Sequence, residues 1–304
     1  MALPSISYPE WSATCDTLHA HTQVLGKLAA ELAPPEPQLQ HAALRLTARG
    51  WETLPLPAPD GSGAFVVALD LHRHEALVET SGGKRQAVPL IPSRSVGEVT
   101  TDLLAAVAAV TGEAKIDPEP QEVAWTVPLD QDEEHATYEE QAIAAYFGMA
   151  TCAAQVLAAF RAPWRGRSTP VNAWWGSFDL AVNLFSGDPA TPPADDFIMR
   201  NAMDAQEVAV GWWPGDPKHG GAAFYAYAHP AQPSFTDGDL GVPGARWDGE
   251  LGEYVLEWED VAAASDPFGL ALGFARAAFR HACATCGWDA TLAASADGTP
   301  PPVA

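Results

Sequence analysis

Positive charge is what this sequence has least of. Sixteen lysines and arginines stand against 39 aspartates and glutamates, a formal net charge of -23 over 304 residues. A surface that binds nucleic acid or an anionic bilayer needs a surplus of cations to displace counterions, so neither partner class is expected. Only four of the 16 basic residues are lysine, while Ala and Pro are plentiful. That bias follows from a GC-rich genome and carries no function of its own. No apolar run approaches twenty residues and the mean hydropathy is -0.06, so no membrane span is expected. The opening stretch MALPSISYPEWSATCDTLHA has neither a basic start nor an apolar core, which reads as no secretory signal and a cytoplasmic location.

Cysteine is sparse too. Cys15 and Cys152 stand alone, and Cys283 and Cys286 form a single CxxC inside a helical stretch. A structural zinc site brings a second ligand pair, and none is present, so these read as small helix residues and no metal is expected. Also missing are the phosphate-cradling GxxxxGK[ST], the dinucleotide GxGxxG, the GxSxG elbow and HExxH. No nucleotide cofactor is therefore expected, and the identity of any other cofactor stays unknown. What the chain has is apolar side chains, 47% of residues against 18% charged. That suffices for a sizeable core in one large domain or two modest ones.

Helical periodicity runs from Trp11 to Leu32, with Asp16 or Thr14 as cap, and stops at Pro34-Pro35. Strand patterns follow over His41–Ala48, Ala64–Leu71, Ala76–Thr80 and Gln86–Ile91, the last two flanking a Ser81-Gly82-Gly83 turn, as in an antiparallel meander. Val96–Val110 reads as a helix closed by Gly112. Residues 115–135 read as an exposed acidic connection, and Tyr138–Phe160 as the longest helix. Strands are expected over Val171–Phe185, Glu207–Trp213, Ala222–Ala228 and Tyr254–Trp258, then a helix over Pro267–Cys286. The fold class is α+β, mostly antiparallel sheet with packed helices, in two similar β-rich halves that each end in a helix. The halves, 1–115 and 138–288, form one unit over 1–288; residues 289–304 read as a disordered tail.

Chemistry has three candidate locations. On the first helix His19, Thr22 and Gln23 share a face, with Asp16 and Lys27 one turn to either side. This stripe is either the lining of a site with His19 as acid/base or a polar network tying helix to sheet. His21 points to another side, so HxH there is a poor metal clip. The strand pair His72-x-His74 is better spaced, but Arg73 and Glu75 mark an exposed hairpin end. His41 and His135 become partners of His19 only if folding brings them to it. Third, Trp174, Trp175, Tyr225 and Tyr227 alternate along strands, with Asp179 and Asn172 nearby. They form either an aromatic wall for a flat or sugar-like ligand or an aromatic core.

These segments also carry a resemblance. Trp11, Thr17-Leu18-His19, Thr22-Gln23, Gly26-Lys27 and Thr47-Ala48-Arg49-Gly50 are similar to the pattern of DUF5996, a bacterial family of unknown function. Asp132, His135-Ala136, Trp175-Gly176-Ser177-Phe178-Asp179-Leu180-Ala181, Phe185-Ser186-Gly187 and Phe224-Tyr225-Ala226-Tyr227 extend it over about residues 8 to 288. The chain departs from the family at Asn172, where a His is usual, and at His21, where a Trp is usual. This speaks against a catalytic role for either. The resemblance implies one full-length family unit and supplies no activity.

Three functional readings stand open. The first is an enzyme acting on a small polar or aromatic molecule, with His19 as acid/base, His41 or His135 as its partner and Asp179 as the orienting carboxylate. Thr22, Gln23, Lys27, Trp174, Trp175, Tyr225 and Tyr227 would hold the substrate. The second is a non-catalytic protein that binds a small molecule on the same wall. The third is a structural or partner-binding protein whose rings are core. Convergence of His19 with a second titratable group separates the first reading from the others.

Overall fold

The structure, a computed structural model, describes residues 3–296. The first helix, α1 (Tyr8–Leu32), begins earlier than its periodicity suggests. Its start is a capping box: the Glu10 carboxylate accepts from both the backbone N–H and the hydroxyl of Ser7, with Pro9 in the first turn. Asp16 and Thr14, the expected caps, lie inside the helix. From Thr17 to Ala29 every residue is buried, so α1 is enclosed on all sides and its polar side chains have to find partners inside.

A 3-10 turn (Pro37–Ala42) occupies the start of the strand expected over 41–48, leaving only β1 (Arg45–Leu46), which pairs with β2 (Gly50–Glu52). Leu39 and Gln38 adopt left-handed φ in that turn, which an extended strand cannot accommodate. Then follow β3 (Leu56–Pro57), β4 (Ala64–Asp70), β5 (Glu75–Thr80) and β6 (Arg85–Pro89). They make an antiparallel sheet in the order β1-β2-β4-β5-β6 with β3 beside β4, the meander the sequence pattern indicates. His72 and His74 sit in the turn between β4 and β5 rather than on a strand, so they do not share a pleat face. Next comes α2 (Val96–Thr111), capped by Ser95 with Glu98 and closed at Gly112, whose φ of 89° suits glycine.

Residues 113–139 contain neither helix nor strand. Within 115–135 exposed side chains alternate with half-buried ones, and Leu129 and Asp132 are buried. The next helix, α3 (Glu140–Arg161), has 22 residues to the 25 of α1 and is not the longest. Among the described residues it alone is long and apolar enough, by length and composition, to cross a membrane. It is thus an exception to the expected lack of such runs. Half of that stretch is buried, as in a core helix.

The predicted strand over 171–185 is split into β7 (Asn172–Trp174) and β8 (Asp179–Pro189) by a turn in which Phe178 has φ of 56°. After them come α4 (Phe197–Ala202), β9 (Ala205–Trp213), β10 (Ala223–His229), α5 (Pro233–Thr236), β11 (Arg246–Asp248) and β12 (Glu253–Glu257). The second sheet also has six strands, in the order β11-β12-β10-β9-β8-β7. Three helices close the chain: α6 (Trp258–Ala263), α7 (Pro267–Cys286) and α8 (Ala290–Ala294). The stretch read as a disordered tail thus carries α8, and its remainder from 297 on lies outside the described residues. Cys283 and Cys286 lie on α7 and are in no disulfide among the described residues.

The chain is α+β and divides into two compact units. The first comprises Ile6–Gly148 and Asn172–Asp179, and so contains the connection over 115–135. Among the described residues the second comprises 3–5, Met149–Val171 and 180–296. In the second, one face of the sheet (Val182, Leu184, Val208, Val210, Trp212, Phe224) is buried and apolar. Tyr254 of that face meets His281 of α7 edge-on at 5.9 Å.

Candidate functional site

The buried stripe on α1 organises the first unit. His19 Nε2 lies 2.9 Å from the carbonyl oxygens of both Trp175 and Gly176. Carbonyls only accept, so Nε2 carries the proton and donates to both, leaving Nδ1 with the lone pair. Nδ1 meets no hydrogen-bond partner among the described residues. Burial pushes the imidazole down to about 4, against the pull of the two carbonyl bonds, so His19 is neutral at pH 7.

The ring of His19 ends an aromatic stack. Phe178 lies over it at 4.9 Å, and Trp51 and Tyr146 lie over Phe178 at 5.2 and 5.3 Å. Trp51 Nε1 donates to the Tyr146 hydroxyl at 2.9 Å, and Trp11 stacks on Tyr146 at 5.1 Å. The left-handed φ of Phe178 costs about 1–3 kcal/mol for a residue with a side chain. Ring contacts and the two carbonyls given to His19 hold the turn against that cost. A second left-handed residue, Glu122 at φ 59°, faces the same turn: a Cβ on Gly176 would come within 2.0 Å of Glu122 Oε2. One left-handed non-glycine residue, Phe178, thus stacks on His19, and a second, Glu122, meets Gly176, whose carbonyl His19 holds.

Residues 113–139 deliver the other half of the site. Gln23 clasps this segment, donating to the Gln121 carbonyl at 2.8 Å and accepting the Gln121 N–H at 2.9 Å. Beyond it Trp125 stands edge-on to His19 at 5.7 Å and tilts against His135 at 4.9 Å. His135 Nδ1 lies 2.6 Å from Asp132 Oδ2, while Oδ1 accepts the backbone N–H groups of Glu134 and His135. Asp132 is fully buried, and its carbonyl takes the N–H of Gly97 at the start of α2. A carboxylate on Nδ1 makes Nδ1 the protonated nitrogen and leaves Nε2 as an acceptor. Nε2 has no hydrogen-bond partner among the described residues. Asp16, half-buried, and His21 feel the charge of His135 as well.

The other sequence candidates fall into place around this core. Thr22 is turned onto its own helix, its hydroxyl donating to the His19 carbonyl at 2.7 Å. Lys27 Nζ lies 5.6 Å over the Trp175 ring, whose Nε1 donates to the Ala42 carbonyl at 3.0 Å. Burial lowers the Lys27 ammonium, and Asp117 and Glu119 counter it. Trp174 is half-buried on β7. Asp179 accepts from Ser177 Oγ at 2.5 Å, and its charge helps burial raise the Tyr146 hydroxyl. His41 accepts the Glu36 N–H on Nδ1 at 3.0 Å, and no contact joins it to His19 or His135 among the described residues. Tyr225 and Tyr227 belong to the second unit. Asn172 is held by Arg45 and Gln40.

The sequence pattern included Asp132 only as part of the family resemblance, with no role assigned, and did not mark Trp125 or Glu122. The Asp132-x-x-His135 spacing was the one available signal, since an Asx turn there brings the imidazole back onto its own carboxylate. Nothing local marks Trp125.

The model of a family of unknown function, DUF5996, matches residues 3–295, nearly the whole chain. No curated protein and no solved structure matches it.

Proposed function

Because the chain belongs to the DUF5996 family of unknown function, its activity has to be read from the site, and we propose an enzyme that moves a proton on a small polar or aromatic molecule. The observation that carries this reading is the Asp132–His135 pair set across Trp125 from His19. His135 Nε2 takes and returns the proton, and Asp132 fixes its tautomer and offsets the imidazolium that forms. His19, neutral and held by two carbonyls, offers Nδ1 as a fixed acceptor for a substrate N–H or O–H. The half-buried Trp125 supplies a flat surface between the two imidazoles. The strain at Phe178 and Glu122 supports a site here, since such strain persists where function over-determines the backbone. No step requires a nucleotide cofactor. A net charge of -23 supports a small-molecule partner over nucleic acid or membrane, and four cysteines in no disulfide suit the cytoplasm.

The test is a thermal-shift screen of the full chain against a small-metabolite library, followed by the same hits on His135→Gln and His19→Ala. A ligand at 100 times its Kd adds about 2.7 kcal/mol, a shift of several degrees. Hits that lose their shift in folded variants, and that are turned over by the unmodified chain only, support the enzyme. Hits retained in both variants would place the ligand elsewhere and overturn the reading. Hits lost in the variants but never turned over would establish a binding protein instead.

A further inference from the structure

Prolines at 118, 120 and 128 keep the segment from Pro118 to Leu129 out of a helix, while Val123, Trp125 and Val127 alternate as in a strand. The fold gives this segment no partner strand. From Val123 to Val127 neither backbone nor side chain makes a hydrogen bond among the described residues. Its two ends are nevertheless fixed. The Leu129 N–H donates to the Pro118 carbonyl at 2.9 Å, closing the segment into an Ω-like loop, and Leu129 is fully buried. Near the start, Gln23 holds Gln121 by two hydrogen bonds. Glu122, at φ 59°, makes the bend between that clasp and the unbonded stretch.

The unbonded stretch carries the ring of Trp125, 5.7 Å from that of His19 and 4.9 Å from that of His135. His19 is only 9% exposed, so a ligand reaches its Nδ1 when a neighbouring group moves aside. Other groups against the imidazole are tied down: Trp175 by its bond to the Ala42 carbonyl, and Phe178 by stacking on Trp51 and Tyr146. Trp125 is held only by its ring contacts. Ala124 and Thr126 on either side of it are exposed. A segment with few buried contacts and a single polar clasp opens at far lower free energy than the core beneath it.

We propose that Pro118–Leu129 is a lid over the His19–His135 site, with the Gln23–Gln121 clasp as its latch and Glu122 as its hinge. Opening lifts Trp125 off the two imidazoles and admits a ligand; closing lays the indole on that ligand and excludes water from the proton transfer. The lid rests on the reading of His19 and His135 as the acting pair.

The experiment is labelling of the full chain with diethyl pyrocarbonate at pH 7, a reagent that acylates the free lone pair of a neutral imidazole, with the rate at each histidine read by peptide mass. Gln23→Leu leaves Trp125 in place and removes the latch. It should speed labelling of His19 by about tenfold or more, as expected for the loss of two hydrogen bonds that favour the closed state. His135 should speed up with it, while His41, which stands apart, keeps its rate. Trp125→Ala should speed up the same two histidines. Gln23 Nε2 also lies 3.4 Å from His19 Nε2, and His135 is the readout that loss of this neighbour alone would not move. A rise at His19 alone, a rise with Trp125→Ala but none with Gln23→Leu, or an equal rise at His41 would overturn the lid. If Gln23→Leu does not fold, Gln23→Asn, which keeps an amide but shortens its reach, takes its place. Labelling does not depend on turnover, so the lid can fail while the proton-transfer reading stands.

Discussion

The Nδ1–H of His135 meets Oδ2 of Asp132 at 2.6 Å, and the other oxygen of the same buried carboxylate caps the turn that carries the histidine. One anion thus sets both the position and the tautomer of the ring. Asp132→Asn should cost about 1–3 kcal/mol of stability, the range for a disturbed buried hydrogen-bonded group. It should also turn the single Nδ1–H tautomer into a mixture, read from the ring 15N shifts of His135. An unchanged tautomer would mean that something other than Asp132 orients the ring.

Acid sensitivity is a second expectation. His19 and His21 are both lowered by burial from about 6.5 to about 4. The unfolded chain therefore binds two protons between those values that the folded protein refuses, and stability falls as pH drops from 6.5 to 4, by at most about 3 kcal/mol per imidazole. Glu207, raised to about 7, works in the opposite sense. The folded state keeps a proton that the unfolded chain sheds above about 4.5, so its contribution is present below 4.5 and lost by about 7. The two histidines outweigh it between pH 4.5 and 6.5, and urea midpoints should rise over that interval. His21 Nδ1 is buried without a hydrogen-bond partner among the described residues, so His21→Phe should reduce the slope by about one proton. An unchanged slope would show that His21 titrates normally.

Gly26 has no side chain because the Trp175 ring occupies its place: an added Cβ would lie 2.0 Å from Cγ. Gly26→Ala should destabilise by about 1–3 kcal/mol through overpacking. It should also free the Trp175 indole N–H from the Ala42 carbonyl, seen as faster exchange of that proton. A variant of normal stability with a protected indole would contradict the close approach.

Gln23→Leu keeps the volume of the clasp and removes both of its hydrogen bonds to Gln121. Amide exchange at Gln121 should accelerate about tenfold or more, with a global loss of about 1–2 kcal/mol. Because Trp125 lies four residues on, ligand shifts that depend on His135 should weaken too. Exchange at the native rate would show that the segment is held elsewhere.

The long elements were legible from local pattern. Apolar spacing over α1, α2 and α7, and alternation over β4, β5, β9 and β10, reflect how a helix or strand presents one side to a core. Two kinds of cause moved the boundaries: the local Ser7–Glu10 box sets the start of α1, and left-handed residues at 38–39 and at Phe178 cut two expected strands. None of those residues is glycine, so their φ values follow from contacts made after collapse and not from local preference.

The site divides along the same line. The sequence by itself determined that His19 shares a helix face with Thr22 and Gln23, that His135 follows an acidic run, and that the chain is acidic with no nucleotide-cofactor signature. Only the tertiary structure decided that Asp132 rather than Asp179 orients a histidine, that His41 stands apart, and that Trp125 joins two imidazoles 116 positions apart in the chain. Periodicity reports which side of an element faces inward. Which groups meet there depends on the path of an irregular segment, and that path is set by long-range hydrogen bonds such as the Gln23–Gln121 clasp, which leave no periodic trace.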